Sequence, residues 1–222
     1  MKPRLLDLFC CEGGAAVGYH RAGFDVVGID IEHQKRYPYE FHRGNAMTWP
    51  LNGFDAVHAS PPCQDHSSMS TGLNDKHGTG WMLHATIERL TTWGGPWVVE
   101  NVEGADMPGA LTLCGSEFGL TTKTRDGTVR LLKRHRRFVS NVFLMGAGGC
   151  LCARYRGRVI GVYGNGGGGE MTRGYKGYPD ESRDVMGMPW ASQHGLSQAI
   201  PPAYTQHIGE QLLAHLAAGV PL

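Results

Sequence analysis

Nothing in this chain approaches the roughly 20 consecutive apolar residues that a membrane-spanning helix needs. Its first residues, MKPRLLDLF, run straight into a strand-like segment without the cleavage pattern of a secretory signal. Both absences lead to the expectation of a soluble, cytoplasmic protein with no membrane partner. Cysteine is sparse: six residues, at 10, 11, 63, 114, 150 and 152, are too few and too scattered for a secreted disulfide framework. They read as free thiols, which leaves room for a reactive one. Internal repeats and heptads are missing, which excludes solenoids and coiled coils. With 41% apolar and 18% charged residues among 222, the chain is not disordered, and it is long enough for one core with a small appended lobe.

Glycine, in contrast, is abundant. The 33 glycines are about 15% of the chain, against a usual ~7%, and they concentrate around 146–169 and at Gly13-Gly14. Charge is unevenly placed. Residues 121–183 hold 13 basic and 4 acidic side chains, hence +9, and the remainder carries 8 basic and 16 acidic ones, hence −8. A basic stretch on an acidic body fits a polyanion bound on one side. A solvated basic loop would look similar, but these arginines lie among Tyr and Gly rather than in a Lys/Glu mixture.

The first half alternates strand and helix signals. Apolar runs at Arg4–Phe9, Val26–Ile29, Ala56–Ala59 and Trp97–Val99 have the length of buried strands. Helices are expected over Gly14–Ala22 and over Trp81–Trp93, where Leu83, Ile87 and Leu90 recur at the 3.6-residue period. Such alternation predicts a mostly parallel α/β sheet, with ligands beyond the carboxyl ends of its strands. Residues 138–184 lack periodicity and predict a loop-rich lobe with a hairpin through Arg158–Tyr163. After Pro201-Pro202, Ile208, Leu212, Leu213 and Leu216 mark one face of a last helix.

Four segments carry the chemistry. Asp7 to Gly14, DLFCCEGG, is a strand-to-helix turn that can bring backbone N–H groups to a ligand, although it lacks G-x-G-x-x-G and an ordinary turn would read alike. Asp30, closing the second strand, is placed to hold a ribose hydroxyl pair. Ser60-Pro61-Pro62-Cys63-Gln64 sets a cysteine in a rigid turn at a strand end, fit for a nucleophile or a structural thiol. Glu100, at the end of a buried strand, can stay protonated at neutral pH and act as an acid toward a base ring. Arg134 and Arg136, alternate residues of a strand, share a face; a phosphate-binding basic run is the competing reading.

In this order the segments resemble the cytosine-C5 DNA methyltransferase family. DLFCCEGG is similar to its DLFxGxGG loop, Gly28-Ile29-Asp30 to its acidic strand end, and Gly44-Asn45-Ala46 to its G-D-[AI]. SPPCQ is similar to its PCQ loop, Glu100-Asn101-Val102 to its ENV, and Arg134-x-Arg136 to the end of its Q-x-R-x-R. Ser197-Gln198-Ala199-Ile200-Pro201-Pro202 resembles its late GNAVPP. The likeness spans 4–138 and 185–216, and the compact form looks most like bacteriophage-encoded members. Four residues depart from the pattern: Cys11 for glycine, Asn45 for aspartate, Leu132 for glutamine and Gln198 for asparagine.

The resemblance implies a Rossmann-like, S-adenosylmethionine-dependent methyltransferase fold. It would comprise a catalytic core (1–137), a short basic target-recognition lobe (138–184) and a segment returning to the core (185–222). It implies that Cys63 adds to C6 of a flipped cytosine and that Glu100 engages N3 and the amino group. Arg136 would hold O2, and Arg134 would brace the loop or the carboxylate. Cofactor contacts would come from the loop Phe9, Cys10, Cys11, Glu12, Gly13 and Gly14, and from Asp30 and Ile31. Asn45 and Ala46, Pro62, and Gln198, Ala199 and Ile200 would complete them. Double-stranded DNA, the implied partner of a monomer, would meet Gln64, Ser67, Arg137, Arg154, Arg156, Arg158 and Arg173. Residues 60–80, polar and glycine-bearing, would form a lid. Protection of phage DNA against restriction is the biological purpose the resemblance brings with it. The same chemistry on RNA, transfer of an altered alkyl group, and a DNA-binding relic without turnover are the alternatives. Cys150-x-Cys152 with Cys114 and His135 could supply four metal ligands. The spacing is tighter than the usual C-x₂₋₄-C, so two partly buried thiols and no metal are expected.

Overall fold

The computed structural model describes residues 1–62, 80–164, 167–171 and 174–219. Its main sheet starts with five parallel strands: β1 (Arg4–Leu8), β2 (Asp25–Asp30), β3 (Glu40–Arg43), β4 (Ala56–Ala59) and β5 (Trp97–Val102). Two further strands, β6 (Leu111–Leu113) and β9 (Arg136–Ser140), extend it antiparallel, giving the order β3-β2-β1-β4-β5-β9-β6. The chain leaves β1 toward β2 on one side and returns to β4 on the other, so the strand order reverses at β1. That reversal opens a crevice at the strands' carboxyl ends.

Both faces of this sheet are covered, which is why its central strands are apolar almost throughout. On one face, Leu5, Val26 and Val98 pack with α1 (Gly14–Ala22) and the last helix, α5 (Pro202–Ala218). On the other, Leu6, Leu8, Val27 and Val99 pack with α2 (Trp81–Trp93) through Leu83 and Leu90. Helices α1 and α5 approach closely at Gly18, where an added Cβ would lie 2.0 Å from Thr205 Oγ1 and 2.2 Å from the Pro202 carbonyl. This contact fixes the late chain segment against the turn that follows β1.

A second sheet, of order β11-β12-β10-β8-β7, comprises β7 (Thr121–Lys123), β8 (Val129–Leu132), β10 (Val159–Gly161), β11 (Gly169–Met171) and β12 (Gly174–Lys176). Helices α3 (Pro179–Met186) and α4 (Gln193–Gln198) accompany it, around a core of Leu132, Ile160, Val162, Val185 and Met188. The sequence expectation differs here in two ways. The hairpin expected through Arg158–Tyr163 is a single strand, β10, with parallel neighbours on both sides. The lobe expected from 138 takes two strands from 121–132, while 136–140 belongs to the main sheet. Strands of three or four residues are too short to show a local period, and β10 meets β8 only through a long-range parallel pairing.

Candidate active site

The turn after β1 is held in an uncommon backbone shape. Phe9 (φ 60°) and Cys11 (φ 46°) lie in the left-handed region, as does Gly13 (φ 82°). For residues with a Cβ, this costs about 1–2 kcal/mol each. The surroundings hold the shape in place. The Cys11 N–H donates to Asp30 Oδ2 at 2.9 Å and the Cys10 N–H to the Ile29 carbonyl at 3.1 Å. Cys11 thus occupies a glycine-like conformation, at the position where the resembled pattern has glycine. Burial pushes both neighbouring thiols up, Cys11 to about 11, so neither is a thiolate at neutral pH. Asp7, fully buried inside β1, has its pKa raised by desolvation and accepts a 3.4 Å hydrogen bond from the Tyr37 hydroxyl.

Other residues expected to hold the cofactor gather around this turn. Asp30 also accepts from the Glu32 N–H at 2.9 Å, so each of its oxygens holds one backbone donor and keeps a lone pair free. Ile31 beside it is 63% exposed, an apolar side chain standing at the strand end. Asn45 follows Gly44, whose N–H donates to the Asp30 carbonyl, and its Oδ1 accepts from the Met47 N–H. Ala46 is buried. Glu12 accepts from the Ser192 N–H and hydroxyl, both at 2.6 Å, at the N-terminus of α4. Ala199 and Ile200 pack on Gly14, whereas Gln198 is exposed. A carboxylate with spare lone pairs beside an exposed apolar residue and a glycine turn fits a nucleoside with two ribose hydroxyls.

Across the crevice lies Glu100, inside β5 rather than beyond its end. Its Oε1 accepts from Arg136 Nε at 3.1 Å, and both side chains are largely buried. Desolvation raises the Glu100 pKa, opposed by Arg136, a hydrogen bond from Ser60, and Arg134. Arg134 is itself buried and donates to the carbonyls of Ala199, Ser197 and Val162. It therefore braces the 197–199 segment and adds positive potential at the carboxylate. Arg137 donates to the carbonyls of Ala105 and Met107, at 2.6 and 2.7 Å. This is a strut across the β5–β6 connection, where the sequence reading had a DNA contact.

Sequence reasoning missed a buried polar chain behind Glu100. His58, inside β4, meets the Tyr19 hydroxyl through Nδ1 at 3.0 Å and Ser60 Oγ through Nε2 at 2.9 Å. With the Tyr19 hydroxyl donating to Nδ1 and Nε2–H donating to Ser60, the Ser60 hydroxyl is free to donate to Glu100. Asn101 Nδ2 donates to the Pro61 carbonyl at 3.1 Å and pins the root of the Ser60-Pro61-Pro62 turn. The available signal was a histidine in the otherwise apolar strand AVHA. Cys63, Gln64, Ser67 and Arg173 lie outside the described residues, as does 63–79 of the expected lid. Pro62 is half-buried, and Arg154, Arg156 and Arg158 are exposed.

Burial holds His58 down to about 3, against an ordinary 6.5. Between these values the unfolded chain binds a proton that the native protein does not. The contribution of His58 is therefore complete above pH 6.5 and drains as pH falls, at about 1.4 kcal/mol per pH unit, down to about pH 3. Asp7 and Glu100, with raised values, act in the opposite sense as pH rises above their ordinary range. Comparison with His58→Gln isolates the histidine. Urea unfolding at pH 6.5 and 4.5 is expected to show the parent losing about 2–3 kcal/mol relative to the variant. Parallel pH profiles for the two proteins would rule out a neutral buried His58.

No family model matches the chain, and no curated protein matches it in sequence. Solved structures do match in fold. A candidate DNA modification methyltransferase encoded within an E. coli prophage superposes with a TM-score of 0.65 at 13% identity, covering 97% of this chain and 99% of that one. The Entamoeba histolytica methyltransferase EhMeth and the S. pombe Dnmt2 methyltransferase each give 0.61 at 11% identity, with the same coverages of 97% and 99%. The fold is that of these methyltransferases, Rossmann-like with a mostly parallel sheet. Among the described residues, no helix is long and apolar enough to cross a membrane.

Proposed function

We propose that this protein is an S-adenosylmethionine-dependent DNA cytosine-C5 methyltransferase. The observation that carries the reading is the buried Glu100–Arg136 pair. It stands in the carboxyl-terminal half of β5, beside the pinned Ser60-Pro61-Pro62 turn that leads into Cys63. Cytosine C5 is a poor nucleophile, and a thiolate adding to C6 converts the ring to an enamine. In this reading Cys63 forms the C6–S bond while Glu100 holds a proton at N3 and Arg136 donates to O2. S-adenosylmethionine supplies the electrophilic methyl group. Loss of the C5 proton then lets the C6–S bond break, which returns Cys63 as thiolate and leaves 5-methylcytosine. The target base must leave the duplex to reach such a site. Asp30, Ile31 and the Phe9–Gly14 turn would hold the cofactor.

The test is trapping. A duplex carrying 5-fluorocytosine cannot lose the C5 substituent, so turnover should stop at a covalent protein–DNA adduct that denaturing gels resolve. A 5-fluorocytosine RNA hairpin is the parallel arm. An adduct on RNA alone would move the substrate to RNA, and no adduct on either would leave a binding protein without turnover.

Specificity should be modest. Phosphate contacts give affinity without sequence information, and base-edge contacts specify. The exposed Arg154, Arg156 and Arg158, with Arg173, are few readers, which fits a target of about two to four base pairs. Neutralising Arg154, Arg156 and Arg158 together is expected to weaken DNA binding. It should also flatten the slope of log affinity against log salt by about 2–3, at ~0.9 for each phosphate that is no longer neutralised. Cofactor affinity should stay unchanged. A bisulfite map showing a fixed site of six or more base pairs, or a salt-insensitive affinity, would overturn this view of the lobe.

A further inference from the structure

Three chain segments meet at one point that the proposed reaction does not use. Cys114 follows β6, His135 sits between β8 and β9, and Cys150 and Cys152 lie in the glycine-rich stretch before β10. Their ligand atoms, three Sγ and one imidazole nitrogen, all fall within 4.8 Å of one another. Cys114 Sγ is 3.4 Å from Cys152 Sγ, and Cys150 Sγ is 3.1 Å from His135 Nε2. We propose that Cys114, His135, Cys150 and Cys152 bind a structural Zn²⁺ ion that clamps the 141–158 loop to the segment carrying Arg134 and Arg136.

Tetrahedral zinc, with Zn–S of about 2.3 Å and Zn–N of about 2.0–2.1 Å, sets its ligand atoms roughly 3.5–3.8 Å apart. The Cys114–Cys152 and Cys150–His135 separations are a few tenths of an ångström shorter than that range, and no pair lies beyond 4.8 Å. A disulfide would need about 2.05 Å between sulfurs, far from the 3.4 Å between Cys114 and Cys152. Three soft thiolates with one imidazole select zinc among common divalent ions, and four protein ligands close the site to substrate.

The surroundings fit metal ligation. His135 turns Nε2 toward the sulfurs while Nδ1 lies 3.5 Å from Glu103 Oε2, the carboxylate–histidine arrangement that fixes the tautomer of a ligating imidazole. The buried Ser116 hydroxyl sits 3.4–3.7 Å from all three sulfurs, and the Cys152 N–H points at Cys150 Sγ from 3.4 Å. These groups can donate to thiolates. The ion also has something to hold. Between Ser140 and Val159 the chain runs 18 residues without helix or strand, longer than most loops in compact domains. The tight C-x-C spacing argued against a metal only while Cys114 and His135, 21 and 15 residues away from their next partners in sequence, had no known place.

The experiment is metal analysis of the whole protein purified without chelator. The expected result is one zinc per chain that survives desalting, and substitution by Co²⁺ giving the intense absorption of a tetrahedral thiolate site. Cys152→Ser should lose most of the metal. Should Cys152→Ser fail to fold, Glu103→Gln changes only an exposed outer carboxylate. It is expected to release zinc to a competing chelator about 10-fold more readily. A folded parent that holds no zinc and takes up no Co²⁺ would overturn the proposal. So would an intact mass short of two hydrogens, the mark of a Cys114–Cys152 disulfide. Neither readout depends on methyl transfer.

Discussion

Cys63→Ser is expected to abolish methyl transfer, by on the order of 10³-fold or more, while S-adenosylhomocysteine still binds. A serine hydroxyl without a strong base is a far weaker nucleophile than a thiolate at neutral pH. The root of the turn keeps its own anchor, since Asn101 grips the Pro61 carbonyl. The other five thiols offer no substitute. Burial keeps Cys10 and Cys11 protonated, and Cys114, Cys150 and Cys152 face one another in a separate cluster. Transfer of labelled methyl to duplex DNA measures the first half of the expectation, and calorimetry measures the second. Turnover within a few fold of the parent would remove Cys63 from the mechanism. Loss of both activities would mean that the turn also shapes the cofactor site.

The pieces legible in the sequence are those whose signals are local. The helices Gly14–Ala22 and Trp81–Trp93 and the strand Ala56–Ala59 have the bounds expected of them, because apolar runs or a 3.6-residue period end there at Gly or Pro. Glu40–Arg43 was missed: it is a polar, partly exposed edge strand, and period-two alternation has no buried face to mark there. The second sheet was missed for a different reason. Val129–Leu132 and Val159–Gly161 become neighbours only through a long-range parallel pairing.

The candidate site divides the same way. Asp30 and Glu100 were legible as carboxylates expected at strand ends, and Arg136 as a charged group within a strand, although Glu100 lies inside β5. What stabilises them was not. Tyr19, His58 and Ser60 come from α1, β4 and the turn after it, and their line toward Glu100 exists only once the sheet is assembled. Arg137 shows the converse. Its charge and its place in a basic run argue for phosphate, but its donors meet two backbone carbonyls that sequence cannot place beside it.

Glu100→Gln should separate binding from chemistry at the base ring. Glutamine keeps the shape and can still donate a hydrogen bond to N3, but it has no proton to transfer. General acid catalysis contributes about 10²–10⁴ in rate, so turnover should fall by that range while DNA affinity falls far less. The pH profile carries the sharper signature. Burial raises the Glu100 pKa, with Arg136, Ser60 and Arg134 pulling it back, so the parent's active protonated form is depleted as pH rises through that raised value. The variant has no such limb, and its residual rate should be flat where the parent's declines. Stability should drop as well, because Arg136, 13% exposed at its side chain, loses its counter-charge. The carboxamide oxygen can still accept from Arg136, which should keep the cost below the ~3–5 kcal/mol of a fully orphaned buried ion. Urea unfolding of parent and variant at one pH checks this separately from rate. A variant that turns over within a few fold of the parent, with the same descending limb, would show that Glu100 only anchors Arg136 and that the ring is protonated elsewhere.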